Sequence, residues 1–496
     1  MQSRSCFLDA TALVKLKRVI DVVAAPCATW AAVVLEYADS QGSRFYSDLW
    51  KVALDGSGQA WQLTRGNSRD YAPCFRADGA LAFLSNRPDA ASPNPGVAAE
   101  YSQIWQLGPH GGEPERLTDE ALGVSAFRCS QHSTRMVWLT QVWPDVPQAE
   151  QREFDQTRRK HGPSSLRYTS MPVRYWDHWL PGHHTHLIVQ DQHERRDLTP
   201  TARRELEQAS FDLSADGRYC AITWRNEGSD RAEEAGIMLF DLEAAPPDTI
   251  ASSRLLGHET HAELSKPLFS PDGSRILCQI ESRIEQACPV TALRMIDVAS
   301  GVSKALAASW NYWPTPQAWH QDGDSVFVTA HDNGCTPVFQ IELTSGDIVR
   351  LTESGSHDKI NCIMALHDTG NPGIIGIQSS FTHPPELFHS PLMSSDLYLP
   401  TARLSGFDPT LADMNIESVS VISSDQHPVQ YWLLSPTHIR EPSPVLLWIH
   451  GGPLGAWQDE WHWRWNALLA VAQGFAVLMP NPRGSTGFGQ AFCNGV

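Results

Sequence analysis

Apolar residues in this chain come mostly in short alternating or continuous runs, each cut off by a polar turn. Runs of that length, rich in β-branched and aromatic residues, predict strands. The start of the chain reads differently. Leu13, Leu16 and Ile20 recur at helical spacing within residues 9–24, and Pro26 follows. That spacing predicts a short amphipathic helix stopped by the proline. Beyond it, helical periodicity nearly vanishes until the last part of the chain.

One turn recurs between the strands. Ala77-Asp78-Gly79, Ala215-Asp216-Gly217, Pro271-Asp272-Gly273 and Gln321-Asp322-Gly323 each precede an apolar run. Asp-Gly between two strands is a strong hairpin signal, because both residues tolerate the positive φ of a tight turn. A weaker copy is Ser130-Gln131-His132-Ser133 before Met136-Val137-Trp138-Leu139. Further along each unit a strand, a polar turn and a run ending in Leu-Thr follow, as at Leu63-Thr64, Leu117-Thr118, Leu198-Thr199 and Leu351-Thr352. Two hairpins per unit at a period of about 40–50 residues predict a β-propeller. About seven four-stranded blades are expected, starting near residues 22, 72, 126, 211, 267, 317 and 361. The third carries a polar insertion over residues 148–174.

Near Asp408 the texture changes. Residues 417–422 and 429–434 flank Ser424-Asp425-Gln426-His427-Pro428 and predict a hairpin. Val445-Leu446-Leu447-Trp448-Ile449 then runs into His450-Gly451-Gly452-Pro453. Helical spacing over Trp463 to Gln473 ends at Gly474, and Phe475-Ala476-Val477-Leu478-Met479 reads as a buried strand. Strand, helix, strand after a hairpin predicts the opening of a mostly parallel α/β sheet. The expected organisation is therefore an N-terminal helix over 1–21, a propeller over 22–405, and an incomplete α/β-hydrolase domain over 406–496.

Composition narrows the partners. The 496 residues carry a formal net charge of -18, which disfavours nucleic acid and anionic lipid as ligands. No apolar run is long enough to span a membrane, and Lys15, Lys17, Arg18 and Asp21 interrupt the apolar N-terminus. A cytoplasmic protein is the expectation. The ten cysteines are scattered without a CxxC pair, so neither a metal site nor a cofactor is expected. Homo-oligomerisation is left open.

The hairpin units, His450-Gly451-Gly452-Pro453 and Asn481-Pro482-Arg483-Gly484-Ser485-Thr486-Gly487-Phe488-Gly489 together resemble the prolyl oligopeptidase family of serine peptidases. The acylaminoacyl-peptidase and dipeptidyl-peptidase-5-like branch looks most similar. Tyr175-Trp176-Asp177-His178-Trp179, His184-Thr185-His186-Leu187 and the stretch from Val14 to Asp21 share in that likeness. The resemblance implies a Ser-Asp-His triad that cleaves short peptides, releasing acylated amino acids or dipeptides. It also implies that the backbone N–H of Gly452 helps bind the oxyanion. Glycine fits that role because the main chain itself must approach the substrate.

The chain departs from the family in one respect. No G-x-S-x-G nucleophile elbow occurs in it. In the family the elbow serine, the aspartate and the histidine follow the Arg-Gly-Ser segment. The chain is thus expected to be inactive by itself, truncated before the nucleophile. The alternative is a non-catalytic β-propeller that serves as an interaction scaffold.

Several motifs invite sharper readings that the sequence does not favour. Gly484 to Gly489 lacks the Lys-Ser/Thr of a phosphate loop and reads as a structural turn. Ser485, within it, has no base paired with it by sequence. His183-His184-Thr185-His186 reads as a polar strand opening rather than a metal site. Glu233-Glu234 reads as a solvated loop rather than an amino-terminus clamp. His450 is expected to order the glycine loop rather than act as a base.

Overall fold

The computed structural model describes residues 9–88, 99–163, 165, 167–168, 173–175, 177–192, 194–225, 234–244, 253–283, 288–363, 372–392, 403–438, 442–452 and 454–495. Trp176, Glu233 and Pro453, singled out above, lie outside them. The chain divides into two compact units. One holds Met1–Arg65, Ile284–Ala292 and Leu306–Val496, and the other holds Gly66–Arg283 and Leu293–Ala305.

The recurrent Asp-Gly turns have one geometry. Gly79, Gly217, Gly273 and Gly323 sit at φ +81°, +80°, +71° and +76°. Each glycine N–H donates three residues back, for example Gly217 to Ser214 O at 2.8 Å and Gly323 to His320 O at 3.0 Å. The aspartate side chain takes the next free amide: Asp216 Oδ1 accepts from Arg218 N at 2.9 Å and Asp322 Oδ1 from Asp324 N at 2.8 Å. The dipeptide recurs because carboxylate and left-handed glycine close the same turn together.

In the first unit, Arg18–Ala24, Trp30–Ala38, Phe45–Ala53 and Ala60–Gln62 form one antiparallel sheet in chain order. Pro314–Trp319, Ser325–Ala330, Val338–Glu342 and Ile348–Arg350 form a second. Ser356–Ile363, Gly373–Ser380 and His383–Pro391 form a three-stranded third. The second unit contains a four-stranded sheet beginning with Asp70–Phe75 and another ordered Glu194–Asp197, His184–Asp191, Met136–Val142, Val124–Cys129. It also holds a detached pair, Arg174–Tyr175 with His178–Trp179. The residue 148–174 insertion carries the helix Gln151–His161.

This architecture corrects the expected propeller. The described strands fall into separate small sheets of unequal size, and none of them closes on itself. From Phe211–Leu213 to Ser303–Leu306 the strands join in one eight-stranded sheet. The join is a parallel bridge between Ala235 and Glu263, where independent four-stranded blades were expected. The physical reason is that an Asp-Gly turn fixes only its own hairpin. It says nothing about how successive hairpins are grouped.

The N-terminal helix is also shorter than its periodicity suggested. It covers Ala10–Lys15, capped by Asp9 Oδ1 on Ala12 N at 2.7 Å. Val19, Ile20, Val22 and Val23 are β-branched, and they enter the strand Arg18–Ala24 against Trp30–Ala38.

After residue 413 the chain builds a mixed four-stranded sheet, ordered Met414–Ile422, Pro428–Pro436, Ala476–Asn481, Val445–Leu447. The first two strands are the hairpin, and Val445–Leu447 pairs in parallel with Ala476–Asn481. The connecting helix is confined to Ala467–Val471, and Asn466 caps it by accepting from Leu468 N at 3.1 Å. Its buried face joins Leu13, Leu16, Trp432, Leu434, Trp461, Val477 and Met479 in one apolar cluster. Trp448 and Trp457, on either side of the loop carrying Gly451 and Gly452, pack against that cluster.

Candidate functional site

The glycine loop leaves the edge strand as the sequence suggested, and both glycines are exposed. Gly452 has φ +141°, and a Cβ there would meet Leu454 N at 2.6 Å. Only glycine fits that backbone. Among the described residues, no acceptor takes the Gly452 N–H.

Two anchors hold the loop. On one flank His450 Nδ1 lies 2.9 Å from Gly451 O, and His450 Nε2 lies 2.9 Å from Ser485 Oγ. A carbonyl accepts only, so the Nδ1 contact requires the proton on Nδ1. On the other flank Asn481, fully buried, accepts from Trp457 N at 2.7 Å. Its amide donates to Trp457 O at 3.0 Å and to Gln430 Oε1 at 2.6 Å. Trp457 Nε1 in turn donates to Trp448 O at 2.9 Å.

Ser485 therefore has a histidine partner that the sequence did not reveal. It still lacks the surroundings of a nucleophile. The residue is fully buried, and its Oγ also lies 2.6 Å from Pro482 O. The amides of its turn are spoken for as well. Gly484 N donates to Phe492 O at 2.9 Å, Ser485 N to Pro482 O at 3.0 Å and Thr486 N to Gly455 O at 3.0 Å. These three amides are therefore committed within the fold and are not offered to a phosphate.

The turn is pinned from distant sequence too. Thr486 Oγ1 lies 2.7 Å from His331 Nδ1, and Asn333 N donates to Gly487 O at 3.0 Å. Burial holds the His331 ring below the usual histidine range, favouring the neutral form. Trp313 Nε1 donates to Gln490 Oε1 at 2.9 Å. Beyond the loop, burial pushes the Asp459 and Glu460 carboxyls up, and Asp459 adds to the effect at Glu460.

The other singled-out residues stand elsewhere. His183 Nδ1 is 2.9 Å from Gln141 Oε1, and burial lowers its ring to about 4. His184 is half-buried, and burial lowers its ring too. His186 Nδ1 is 2.7 Å from Asp197 Oδ2. Glu234 is buried and accepts from His261 N at 3.0 Å, so it is no solvated loop residue. Among the described residues no group of His, Cys, Asp and Glu is arranged to hold a metal ion. No helix among them is long and apolar enough to cross a membrane.

Sequence reasoning missed Asn481 as an anchor, although it opened a quoted motif. Trp457 and His331 carried no sequence signal at all, because their roles arise from contacts across the fold.

Comparisons with known proteins bear on what this site belongs to. No protein-family model matches the chain. Dipeptidyl-peptidase 5 of Porphyromonas gingivalis is 23% identical over 504 residues, covering 96% of this chain and 68% of that protein. Dipeptidyl-peptidase 5 of Aspergillus fumigatus is 25% identical, covering 90% of the chain and 64% of its own length. Among solved structures, the acylaminoacyl peptidase of Pyrococcus horikoshii matches with a TM-score of 0.72 at 15% identity. The match covers 98% of this chain and 68% of that one. A puromycin-hydrolyzing peptidase of Mycobacterium tuberculosis matches with a TM-score of 0.64 at 13% identity, again over 98% and 68%. All four of these relatives are peptidases by name. The chain is similar to these peptidases, and it spans about two thirds of the length of the two dipeptidyl-peptidase 5 relatives.

Proposed function

We propose that this chain carries part of a serine peptidase that acts on short peptides, releasing dipeptides or acylated amino acids. In this reading residues 406–496 contribute to the peptidase domain, and the Gly452 N–H is an oxyanion donor. The observation that carries the reading is the Gly452 corner: an exposed loop with an uncommitted amide, clamped by His450 on Ser485 and by Asn481 on Trp457. A backbone donor held at a fixed place is what stabilises developing negative charge on a carbonyl oxygen. The names of the sequence relatives support the substrate class.

The 496 residues contain no G-x-S-x-G. This polypeptide by itself is therefore inactive in our reading, and Ser485 is no replacement nucleophile. The test is to treat the purified 496-residue protein with a fluorophosphonate probe. No serine should be labelled, and a labelled serine would overturn the inactivity. The peptidase reading is tested separately by reading the codons that follow residue 496. A continuing frame with G-x-S-x-G, whose product cleaves dipeptidyl or acetyl-aminoacyl p-nitroanilides, is the expected result. A continuing product with an intact elbow that hydrolyses neither would sink the reading, and so would an authentic stop codon.

A further inference from the structure

Cys288 and Cys493 are far apart in sequence and meet behind the Pro482–Gly489 turn. The Cys288 thiol donates to Cys493 O at 3.0 Å, and Cys288 N donates to Asn494 Oδ1 at 3.2 Å. Gln490 Nε2 reaches Cys288 O at 3.4 Å, so the Cys288 main chain is fastened to the helix Gln490–Cys493 from both sides. Cys493 is 1% exposed, and its thiol donates to Ser485 O at 3.3 Å. Cys288 is half-buried and so open to a small reagent. Its sulfur already touches the main-chain carbonyl of Cys493. Burial, with Cys288 nearby, pushes the Cys493 thiol up to about 11, so Cys493 does not react first.

We propose that Cys288 and Cys493 form a thiol pair that closes into a disulfide, and that closure releases the Ser485 carbonyl and loosens the turn gripping His450. The oxidant is a low-molecular-weight disulfide. The Cys288 thiol gives its proton to water, and its thiolate attacks the oxidant, forming a mixed disulfide and expelling a small thiolate that takes up a proton from water. Cys493 then loses its proton to water and attacks the Cys288 sulfur, expelling the second. Two protein thiols are oxidised, and one small disulfide is reduced to two thiols. Cys493 can no longer donate to Ser485 O once its proton is gone. The link from Ser485 Oγ to His450 Nε2 carries the change to the glycine loop.

The experiment treats the full chain with oxidised glutathione, caps the remaining thiols and maps peptides without reduction. The expected product joins Cys288 to Cys493, while the fully buried Cys220 and Cys278 remain capped thiols only after unfolding. Hydrogen exchange in residues 482–489 should quicken by about tenfold on oxidation. Cys288→Ser should abolish both effects, and Cys493→Ser should stop at the mixed disulfide on Cys288. Three results would overturn the proposal: wild-type Cys288 left as a mixed disulfide, a link between Cys74 and Cys129 in place of this one, or a Cys288–Cys493 link with unchanged exchange. None of these bears on the peptidase reading, which does not use either cysteine.

Discussion

Two apolar strands of similar character meet opposite fates in this molecule. Ser325–Ala330 is buried at every position, with Val326, Phe327 and Val328 fully enclosed. Val445–Leu447 and the residues after it alternate outward, leaving Val445, Leu447 and Ile449 at 60%, 56% and 71% exposure. The first strand lies between two antiparallel neighbours, and the second is the edge of its sheet with a single parallel partner. Apolar composition predicts a strand in both cases. Whether it is a core strand depends on what stands on its other side.

Substitution should separate the two sharply. Phe327→Ala, deep in the cluster with Val338, Ile360 and Phe388, should cost about 3–5 kcal/mol. Leu447→Ala should stay within about 0.5 kcal/mol. Denaturant titration of both variants checks this, and equal losses would erase the contrast.

Acid offers the next largest effect, again on the buried side. His357 is 3% exposed, its Nδ1 donates to Thr336 O at 3.0 Å and its Nε2 has no partner among the described residues. Burial therefore lowers its ring to about 4. The unfolded chain takes up the proton at higher pH than the folded one. Stability is thus held above the unfolded value near 6.5 and lost as pH falls from there toward about 4, by at most about 3 kcal/mol from this group. His357→Gln should flatten the slope of stability between those limits. An unchanged slope would show that His357 is not its source.

A smaller effect tests the turn beside the edge strand. Gly487 has φ +87°, and a Cβ there would meet His331 C at 3.0 Å. Gly487→Ala should cost about 1–3 kcal/mol in thermal unfolding. Ser485→Ala, which leaves His450 Nε2 without its partner, should cost about 1 kcal/mol. It should also shift the His450 ring resonances, and unmoved resonances would show that the contact does not form in solution.

The edge itself gives the smallest stability change. Ile449→Lys should alter folding stability by less than about 0.5 kcal/mol while lowering self-association in light scattering, because a charge on an open edge opposes strand pairing. Unchanged association would mean that this edge is not the sticky surface.

Much of the fold was legible from local chemistry. The Asp-Gly turns, the strands that follow them and the hairpin around Asp425 all appear where the pattern put them. The same evidence overreached at Val19 to Val23, where β-branched residues took a strand from a helical spacing. It overreached again in grouping the hairpins into a propeller. At the candidate site, His450 and the two glycines stood in a contiguous motif. The partnership of His450 with Ser485 spans 35 residues and had no local trace.

What the sequence determined by itself was what a few neighbouring residues can enforce. A carboxylate and a glycine close a turn, alternation sets the two faces of a strand, and Gly452 permits a backbone that side chains forbid. Only the tertiary structure decided which apolar strand is enclosed, which serine meets a histidine and which thiol meets the Cys493 carbonyl. Those outcomes depend on packing between segments distant in sequence, and a local pattern holds no record of its future neighbours.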